Sequence, residues 1–364
     1  MILTTSCYYS NLRLEILYIN REIKIMDKIS VIVPCYNAAA YLSRCLDSIV
    51  NQTYGIDNLE VICINDASTD STFDILCQYE RKYPESFLII NNEINTKQGY
   101  ARNLAIKYSS GDYITFVDSD DYIDLQMIER LHESIISKEY DYVSCRYYRV
   151  MDGINYILDN APDNIIEYII DSDEKRDSFI VDDCDNPGCC STLYSRSFVA
   201  ENDLRFAEGL FYEDLLWLGL SRIYAKRVLI LPNRFYFYVD NNSTSVVTMK
   251  NSPHHFDRLA VMKLLLNECK ERGIYDKYKN AIDMHFIWIY YVNSLILFAR
   301  RLEQTPANIL NEMNNTIKQK IPNYKQNPHI QQCEGISVTI LSLIDANPTT
   351  QNAWDEIMKI LKDI

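Results

Sequence analysis

Short apolar runs alternate with helical periodicities along the first part of the chain. The runs are ISVIV (29–33), LEVICI (59–64), FLII (87–90) and YITFV (113–117). The first is β-branched and almost wholly apolar, which is typical of a parallel strand buried on both faces. A helical periodicity follows each run. Four strand–helix units in succession predict an α/β fold with a right-handed, doubly wound, mostly parallel central sheet.

The helices between these strands are predicted from apolar residues three or four positions apart. The first contains Leu42, Leu46 and Ile49, and the second and third begin near Asp70 and Gly99. The fourth is predicted from Leu125, Ile128, Leu131 and Ile135.

The second half of the chain has a different pattern. The region 150–250 mixes both periodicities, with a helical stretch predicted near 163–180, and from Pro253 onward the pattern is helical without strand alternation. The run FIWIYYVNSLILFA (286–299) has 14 residues, fewer than the ~20 that span a bilayer. We predict a helix packed on the core, and a surface resting on a membrane is the alternative.

Polar residues directly follow three of the predicted strands. They are PCYN (34–37), NDASTD (65–70) and DSDD (118–121). In doubly wound sheets, ligands bind beyond the carboxyl ends of the strands. The candidate site therefore lies where these three segments meet.

The acidic cluster at Asp118, Asp120 and Asp121 needs a specific explanation, because carboxylates so close together repel one another. A calcium-binding loop that starts at Asp118 is excluded. Such a loop requires an oxygen ligand and then a glycine at the positions where Tyr122 and Ile123 stand.

Two explanations remain for the acidic cluster. Asp120, Asp121 and Asp124 precede or open a helix, whose free N–H groups and dipole favour acidic side chains. We assign Asp121 and Asp124 to that helix. In extended geometry Asp118 and Asp120 project to the same side and Ser119 faces away. Two carboxylates presented together suit Mg²⁺ or Mn²⁺, which share oxygen ligands with substrate phosphates.

Charge and cysteine usage narrow the class of protein. The formal net charge is -14, and a nucleic-acid partner is not expected because phosphate backbones are bound by an excess of Lys and Arg. The 11 cysteines include no CxxC pair. Most lie in apolar segments, as reduced thiols of a cytoplasmic protein do.

Five segments in order resemble those of the family-2 glycosyltransferases of the A-type fold. They are 29–54, EVICINDASTDST (60–72), GYARNLAI (99–106), YITFVDSDDY (113–122) and YEDLLW (212–217). The resemblance runs from about Lys28 to Asp214. It implies a Rossmann-like A-type fold with a helical C-terminal region, and transfer of a sugar from a nucleotide-diphosphate donor with inversion.

The resemblance also implies roles in donor binding. Asp66 would accept a hydrogen bond from the base, which favours uracil because its N3 carries a proton. Pro34, Tyr36 and Asn37 would shape the loop against the nucleoside, with Tyr36 stacking on it. Arg102 would lie near the base or the pyrophosphate.

The acidic segment would hold the diphosphate end of the donor. By the resemblance, Asp118 contacts the ribose and the metal, Ser119 binds the donor beside it, and Asp120 is the main ligand of Mn²⁺ or Mg²⁺. In many relatives the second strand ends in two acids, whereas here Asn65 stands before Asp66. This difference leaves the contact of Asp66, to base or to ribose, open.

The adjacent acids Glu213 and Asp214 supply the catalytic base. On a helix they point about 100° apart, so they cannot both face the sugar. The resemblance favours Asp214 as the base and Glu213 as the residue that orients the acceptor. The structural alternative is that both simply place negative charge at a helix N-terminus.

These expectations define a domain plan and a function. Residues 1–26 are expected to be a non-native leader or disordered extension, with translation starting at Met26. Residues 27–250 form the catalytic domain, divided into a nucleotide-binding half (27–122) and an acceptor half (123–250), and residues 251–364 form a helical region. We expect a UDP-sugar donor and a glycan or lipid-linked acceptor, in cell-surface or capsular polysaccharide synthesis at the inner membrane face. A non-catalytic nucleotide-sugar-binding subunit is the alternative.

Overall fold

The computed structural model of the chain describes residues 26–157, 162–182, 188–240 and 248–363. The expectation about a leader concerns residues 1–26, of which residues 1–25 lie outside the described ranges.

The elements follow in chain order. The first part contains β1 (Ile29–Cys35), α1 (Leu42–Val50), β2 (Leu59–Asp66), α2 (Thr72–Lys82), β3 (Phe87–Asn92), α3 (Lys97–Tyr108), β4 (Tyr113–Phe116), β5 (Tyr122–Ile123), α4 (Met127–Ser137), β6 (Tyr142–Met151), β7 (Ile154–Tyr156), β8 (Ile166–Ile169), α5 (Asp173–Val181), β9 (Thr192–Ser195), α6 (Arg196–Glu201), α7 (Asp214–Tyr224) and β10 (Arg227–Val239). The second part contains α8 (Asp257–Glu271), α9 (Lys279–Ile287), α10 (Ser294–Arg301), α11 (Ala307–Lys320), α12 (Pro328–Gln331), α13 (Ile336–Ala346) and α14 (Gln351–Lys362).

In the described part of the chain, ten strands form one mixed sheet. Its order is β3-β2-β1-β4-β9-β6-β10-β5, with β7 paired to β6 and β8 paired to β10. The β3-β2-β1-β4 part is parallel, as predicted, because each crossover is a helix. Strand β9 then joins β4 and β6 in antiparallel pairing. The carboxyl ends of β1, β2 and β4 therefore meet at one edge of the sheet.

Each face of the sheet has its own core. Every residue of β1 is buried, and its side chains alternate between the two cores. Val31 and Val33 pack in the core that includes α1 and α4. Ile32 packs in the core that includes α3, α7 and the C-terminal helices. This double burial explains why the strand is apolar without interruption.

Two local predictions were wrong. The stretch 163–180 contains the strand β8 before the helix α5, because Ile166–Ile169 pairs in antiparallel register with the start of β10. Leu125, predicted on the inner face of the fourth helix, is 51% exposed and precedes α4, which begins at Met127.

The chain from residue 253 to 363 consists of helices and short connections without a strand, as predicted. Helices α9 and α10 are joined by a π-helical segment, Trp288–Asn293, into a continuous helix. By length and composition this helix, Lys279–Arg301, could cross a membrane, but 67% of its most apolar window is buried inside the protein. Its apolar residues, including Phe286, Tyr291 and Phe298, belong to the core shared with the sheet. This burial agrees with the predicted packing on the core.

Candidate active site

A cleft of about 550 Å³ lies at the edge where β1, β2 and β4 end. It contains nearly all of the residues that the sequence predicted for donor and metal binding. They are Pro34, Tyr36, Asn37, Asp66, Asp118, Ser119 and Asp120. The doubly wound topology brings them together, although the first and last are more than 80 positions apart in the sequence.

Asn37 joins the loops that follow β1 and β2. Its backbone N–H donates to Ser68 Oγ (3.0 Å), and its side-chain oxygen accepts from the Thr69 N–H (2.8 Å). Asn37 and Ala67 both have a positive φ, 48° and 58°. Such backbone strain in non-glycine residues persists only where the surrounding structure holds it. Tyr36, at the rim, is 53% exposed and presents its ring to solvent.

Asp66 is buried and holds the start of α3. Its carboxylate accepts from the backbone N–H of Thr96 (2.9 Å), the hydroxyl of Thr96 (2.6 Å) and the side-chain amide of Asn92 (2.9 Å). The start of α2 is held by Asp70 instead, which accepts from the Thr72 N–H (3.0 Å). Asp66 therefore borders the cleft with most of its acceptor capacity already used within the protein. Its contact with a base stays a prediction.

The acidic segment is a turn and not an extended strand end. The Asp121 N–H donates to the Asp118 carbonyl (3.0 Å), so the side chains do not alternate between two sides. The prediction that Ser119 faces away was wrong, because Asp118, Ser119 and Asp120 all border the cleft. The guanidinium of Arg44 donates to the Asp120 carbonyl (2.8 Å) and holds the turn from outside.

Asp121 was assigned to the following helix, and this was wrong. It is 1% exposed and accepts from the Tyr236 hydroxyl (2.7 Å) and the Val239 N–H (2.7 Å), which tie the turn to β10. Burial, and then the charges of Asp120 and Asp118, raise the pKa of Asp121 well above its ordinary value. Asp124 does lie at the start of α4, where its carboxylate accepts from the N–H of Gln126 (2.9 Å), the residue before the helix.

Arg102 connects Asp118, which borders the cleft, to Glu213, which does not. The guanidinium is 2% exposed, donates to Asp118 Oδ1 (2.6 Å), forms a second ion pair with Glu213, and lies over the ring of Phe206 (5.1 Å). Burial opposes its charge, but the two carboxylates raise its pKa above the ordinary value. The side chain predicted to reach the base or pyrophosphate is thus engaged in a buried ion-pair bridge.

Gly99 allows this bridge to form. A Cβ at this position would lie 2.0 Å from the Ala207 carbonyl oxygen and 3.2 Å from Glu213 Cβ. No side chain fits there, so α3 can pack directly against the backbone of the segment that carries Glu213. The GYARN sequence therefore combines a close approach at Gly99 with an ion pair at Arg102, one helical turn later.

Asp214 opens α7 and borders a second pocket of about 320 Å³, together with Arg102, Asp118 and Glu213. Burial, reinforced by the charge of Asp118 and opposed by Arg102, raises the pKa of the Asp214 carboxyl. Burial also raises the pKa of Glu213. Glu213 is hydrogen-bonded to Arg102, whereas within the described residues the Asp214 carboxylate interacts with Arg102 and Arg258 through their charges, without a hydrogen bond to either. Of the two acids, Asp214 is the one available to a substrate.

Metal binding can be assessed from the oxygen ligands in the cleft. Among the described ranges, no three His, Cys, Asp or Glu side chains are arranged to hold a metal ion. The carboxylates of Asp118 and Asp120 share the cleft, and one oxygen of Asp118 is bonded to Arg102. Such a pair fits a hard cation whose remaining ligands come from water and from a bound diphosphate.

Several residues of the cleft were not predicted from the sequence. They are Lys97, Phe211, Tyr238, Met249 and His254. Lys97 follows the third strand, so its position at a strand end could have identified it. Its ammonium donates to the Gly209 carbonyl (2.8 Å) and lies over the ring of Phe211 (4.6 Å).

The fold and the cleft at the strand ends define a glycosyltransferase fold of the A type. It is similar to the crystal structure of S. aureus TarS 1–349 in complex with UDP-GlcNAc, with a TM-score of 0.62 and 21% identity over 92% of this chain and 90% of that one. Residues 30–201 match the model of the family described as Glycosyl transferase family 2. This match covers just under half of the chain.

Relatives with known names are similar over different lengths. The glycosyltransferase GlyG of Streptococcus pneumoniae serotype 4 is 26% identical over 288 residues, covering 76% of this chain and 89% of GlyG. The poly(ribitol-phosphate) beta-glucosyltransferase of Bacillus spizizenii is 48% identical over 113 residues, 31% of this chain. GlyA of S. pneumoniae serotype 4 is 43% identical over 225 residues. The chain spans only 17% of the Bacillus protein and 30% of GlyA.

Proposed function

We propose that this protein transfers a sugar from a UDP-sugar to a hydroxyl group of a glycan or lipid-linked acceptor, with inversion at the anomeric carbon. The observation that carries the proposal is the buried bridge Asp118–Arg102–Glu213. It joins the cleft at the strand ends to the pocket that contains Asp214.

The larger cleft has the features of a donor site. Tyr36 offers an exposed ring for stacking on the base, and Asp66 lies at the end of β2 beside it. TarS, a similar structure, was crystallised with UDP-GlcNAc, which supports a UDP-sugar here. Asp118 and Asp120 would hold Mn²⁺ or Mg²⁺, and a cation bound there neutralises charge on the departing nucleotide.

The smaller pocket has the features of an acceptor site with a base. Asp214 would take the proton of the acceptor hydroxyl, for which a raised pKa is favourable because it increases basicity near neutral pH. A retaining mechanism through a covalent intermediate needs a second carboxylate at the sugar. Glu213 is paired with Arg102, so it does not meet that need, and this supports inversion.

The acceptor is the least specified part of the proposal. Two of the relatives are named for transfer to poly(ribitol-phosphate), and polymers of this kind are included among the acceptors to be tested. We place the reaction on the cytoplasmic side, at the inner membrane face, where lipid-linked glycans are extended.

The test is a UDP-release assay with a panel of UDP-sugars, saccharide acceptors and polyol-phosphate acceptors, with Mn²⁺ or Mg²⁺ present. We expect turnover with at least one pair, and loss of it in Asp214→Asn and Asp120→Ala. Asp124→Ala is the matched acidic control, because Asp124 lies outside the cleft and its carboxylate accepts from the Gln126 N–H just before α4. Thermal stabilisation by UDP without turnover for any pair would favour the non-catalytic sugar-nucleotide-binding subunit instead.

A further inference from the structure

We propose that His255 is a positioning residue for this reaction. It couples the segment that carries Asp214 to the wall of the donor cleft. The inference rests on the proposed role of Asp214 as the base. It assigns a part in the active site to a region of the chain, from residue 249 onward, that lies beyond the matched family segment, which ends at residue 201.

The residue that His255 contacts is strained. Tyr212, two positions before Asp214, has a φ of 60°. This left-handed conformation is unfavourable for an aromatic residue and persists only where neighbours hold it. The Tyr212 hydroxyl lies 2.7 Å from His255 Nδ1, and the guanidinium of Arg258 lies over its ring at 5.3 Å. Both contacts come from the C-terminal region.

The other ring nitrogen of His255 fixes the direction of these bonds. His255 Nε2 lies 2.7 Å from the Met249 carbonyl oxygen, which can only accept a hydrogen bond, so Nε2 carries the proton. In the neutral ring Nδ1 is then an acceptor, and the Tyr212 hydroxyl donates to it. The ring is 0% exposed, and burial lowers its pKa, which keeps it neutral. One side chain thus bonds both segments at once.

The two segments that His255 joins border different parts of the site. Met249 and His254 are in the wall of the donor cleft, and Tyr212 is in the wall of the pocket that contains Asp214. A neighbouring contact strengthens the junction, since the Phe211 N–H donates to Asp257 Oδ2 (3.0 Å). The His254 ring also packs against Phe211 at 4.2 Å. The position of the base is therefore set from the same short segment, 249–258, that borders the donor.

A purely structural histidine would not need this geometry. An apolar side chain could fill a buried position without the cost of desolvating two ring nitrogens. The left-handed backbone of Tyr212 is also unfavourable for an aromatic residue. Both unfavourable features lie next to the candidate base. They are explained if the bonded His255 and the Tyr212 backbone set the direction in which the Asp214 side chain enters the pocket.

The experiment uses variants of His255 that each keep only one of its two hydrogen bonds. His255→Asn keeps an acceptor near the position of Nδ1 and loses the bond to Met249. His255→Gln keeps a donor near the position of Nε2 and loses the bond to Tyr212, as does Tyr212→Phe. His329→Gln is the control, because His329 is a C-terminal histidine outside the cleft that pairs with Asp177.

The steady-state constants kcat and KM for the donor, and the melting temperature, are measured for each variant of the full chain. We expect Tyr212→Phe and His255→Gln to lower kcat by about 10- to 100-fold with little change in donor KM, since a displacement of ~1 Å at the reacting groups has effects of this size. Their double variant should be no worse than either single one. His255→Asn should raise the donor KM instead.

Several results would overturn the inference. A structural role alone would be shown by wild-type kcat and KM in all three variants. It would also be shown if activity fell only in proportion to the folded fraction, with kcat and KM per folded molecule unchanged. The proposed function fails separately, if Asp214→Asn retains wild-type turnover. In that case the assignment of Asp214 is wrong, whatever the His255 variants show.

Discussion

Replacing Arg102 by Met removes the cation that connects the two acidic parts of the site. Met fills much of the same space without a charge. The change leaves the carboxylate of Glu213, whose side chain is 7% exposed, without its partner. It also removes a partner from Asp118, whose side chain is 24% exposed and can recover part of its hydration.

The expected cost can be estimated from burial. Breaking a buried ion pair by removing one partner costs about 3–5 kcal/mol, because it leaves an uncompensated charge. Most of this comes from Glu213, the more buried acid. Natural domains have unfolding free energies of roughly 5–15 kcal/mol, so Arg102→Met should lose a large part of the stability of the fold. Turnover should be lost as well.

The loss of stability should depend on pH in a definite direction. Burial already raises the pKa of Glu213, and Arg102 opposes that rise. Without Arg102 the folded-state pKa rises further above the unfolded value, and a group of this kind destabilises the fold as pH rises through its folded pKa. The difference between variant and wild type should therefore shrink as the pH falls from 7.5 towards 5.

Urea unfolding at several pH values measures this difference directly. The double variant Arg102→Met, Glu213→Gln is the diagnostic control, since it removes the orphaned charge and should recover much of the loss. A cost below about 1 kcal/mol, or a cost that does not change with pH, would refute the view that Arg102 compensates a buried charge.

Two further predictions concern the packing beneath the site and the base itself. Gly99→Ala places a Cβ 2.0 Å from the Ala207 carbonyl oxygen, so it should lower the free energy of unfolding by about 1–3 kcal/mol. It should also abolish UDP release, because it separates Arg102 from Glu213. Lys107→Ala on the same helix is the control, and a stable, active Gly99→Ala protein would contradict the packing. Burial raises the pKa of Asp214, and a base acts when it is deprotonated. As the pH decreases, kcat/KM should therefore fall with an apparent pKa above the ordinary ~3.9 of aspartate. An apparent pKa at or below that value would count against Asp214 as the base.

The sequence predicted the parts of the site that depend on local pattern. The strands β1, β2 and β4 are short runs buried on both faces, and their carboxyl ends must meet in a doubly wound sheet. Pro34, Asp66 and Asp120 could therefore be placed in one cleft before the structure was known. This inference needs only strand identity and topology.

The sequence could not reveal contacts between residues far apart in the chain. Asp121 looks like a helix-capping acid, and its burial depends on Tyr236, 115 positions later. Arg102 looks like a surface cation, and its pairing with Glu213 spans 111 positions. Neither partner has a local signature. The turn at 118–121 was also missed, because a pattern of alternating side chains assumes an extended backbone.

The shared core has a consequence for how the protein is made. Ile32 on β1 and Leu361 in α14 belong to the same hydrophobic cluster. At ~5–20 residues per second, a ribosome needs roughly 6–25 seconds to synthesise the chain from Val239, where β10 ends, to Leu361. During this interval all ten strands have been synthesised, but the face of the sheet that α3 and α7 cover still lacks its C-terminal helices. A truncation before α14 would therefore leave apolar surface of this core exposed to solvent.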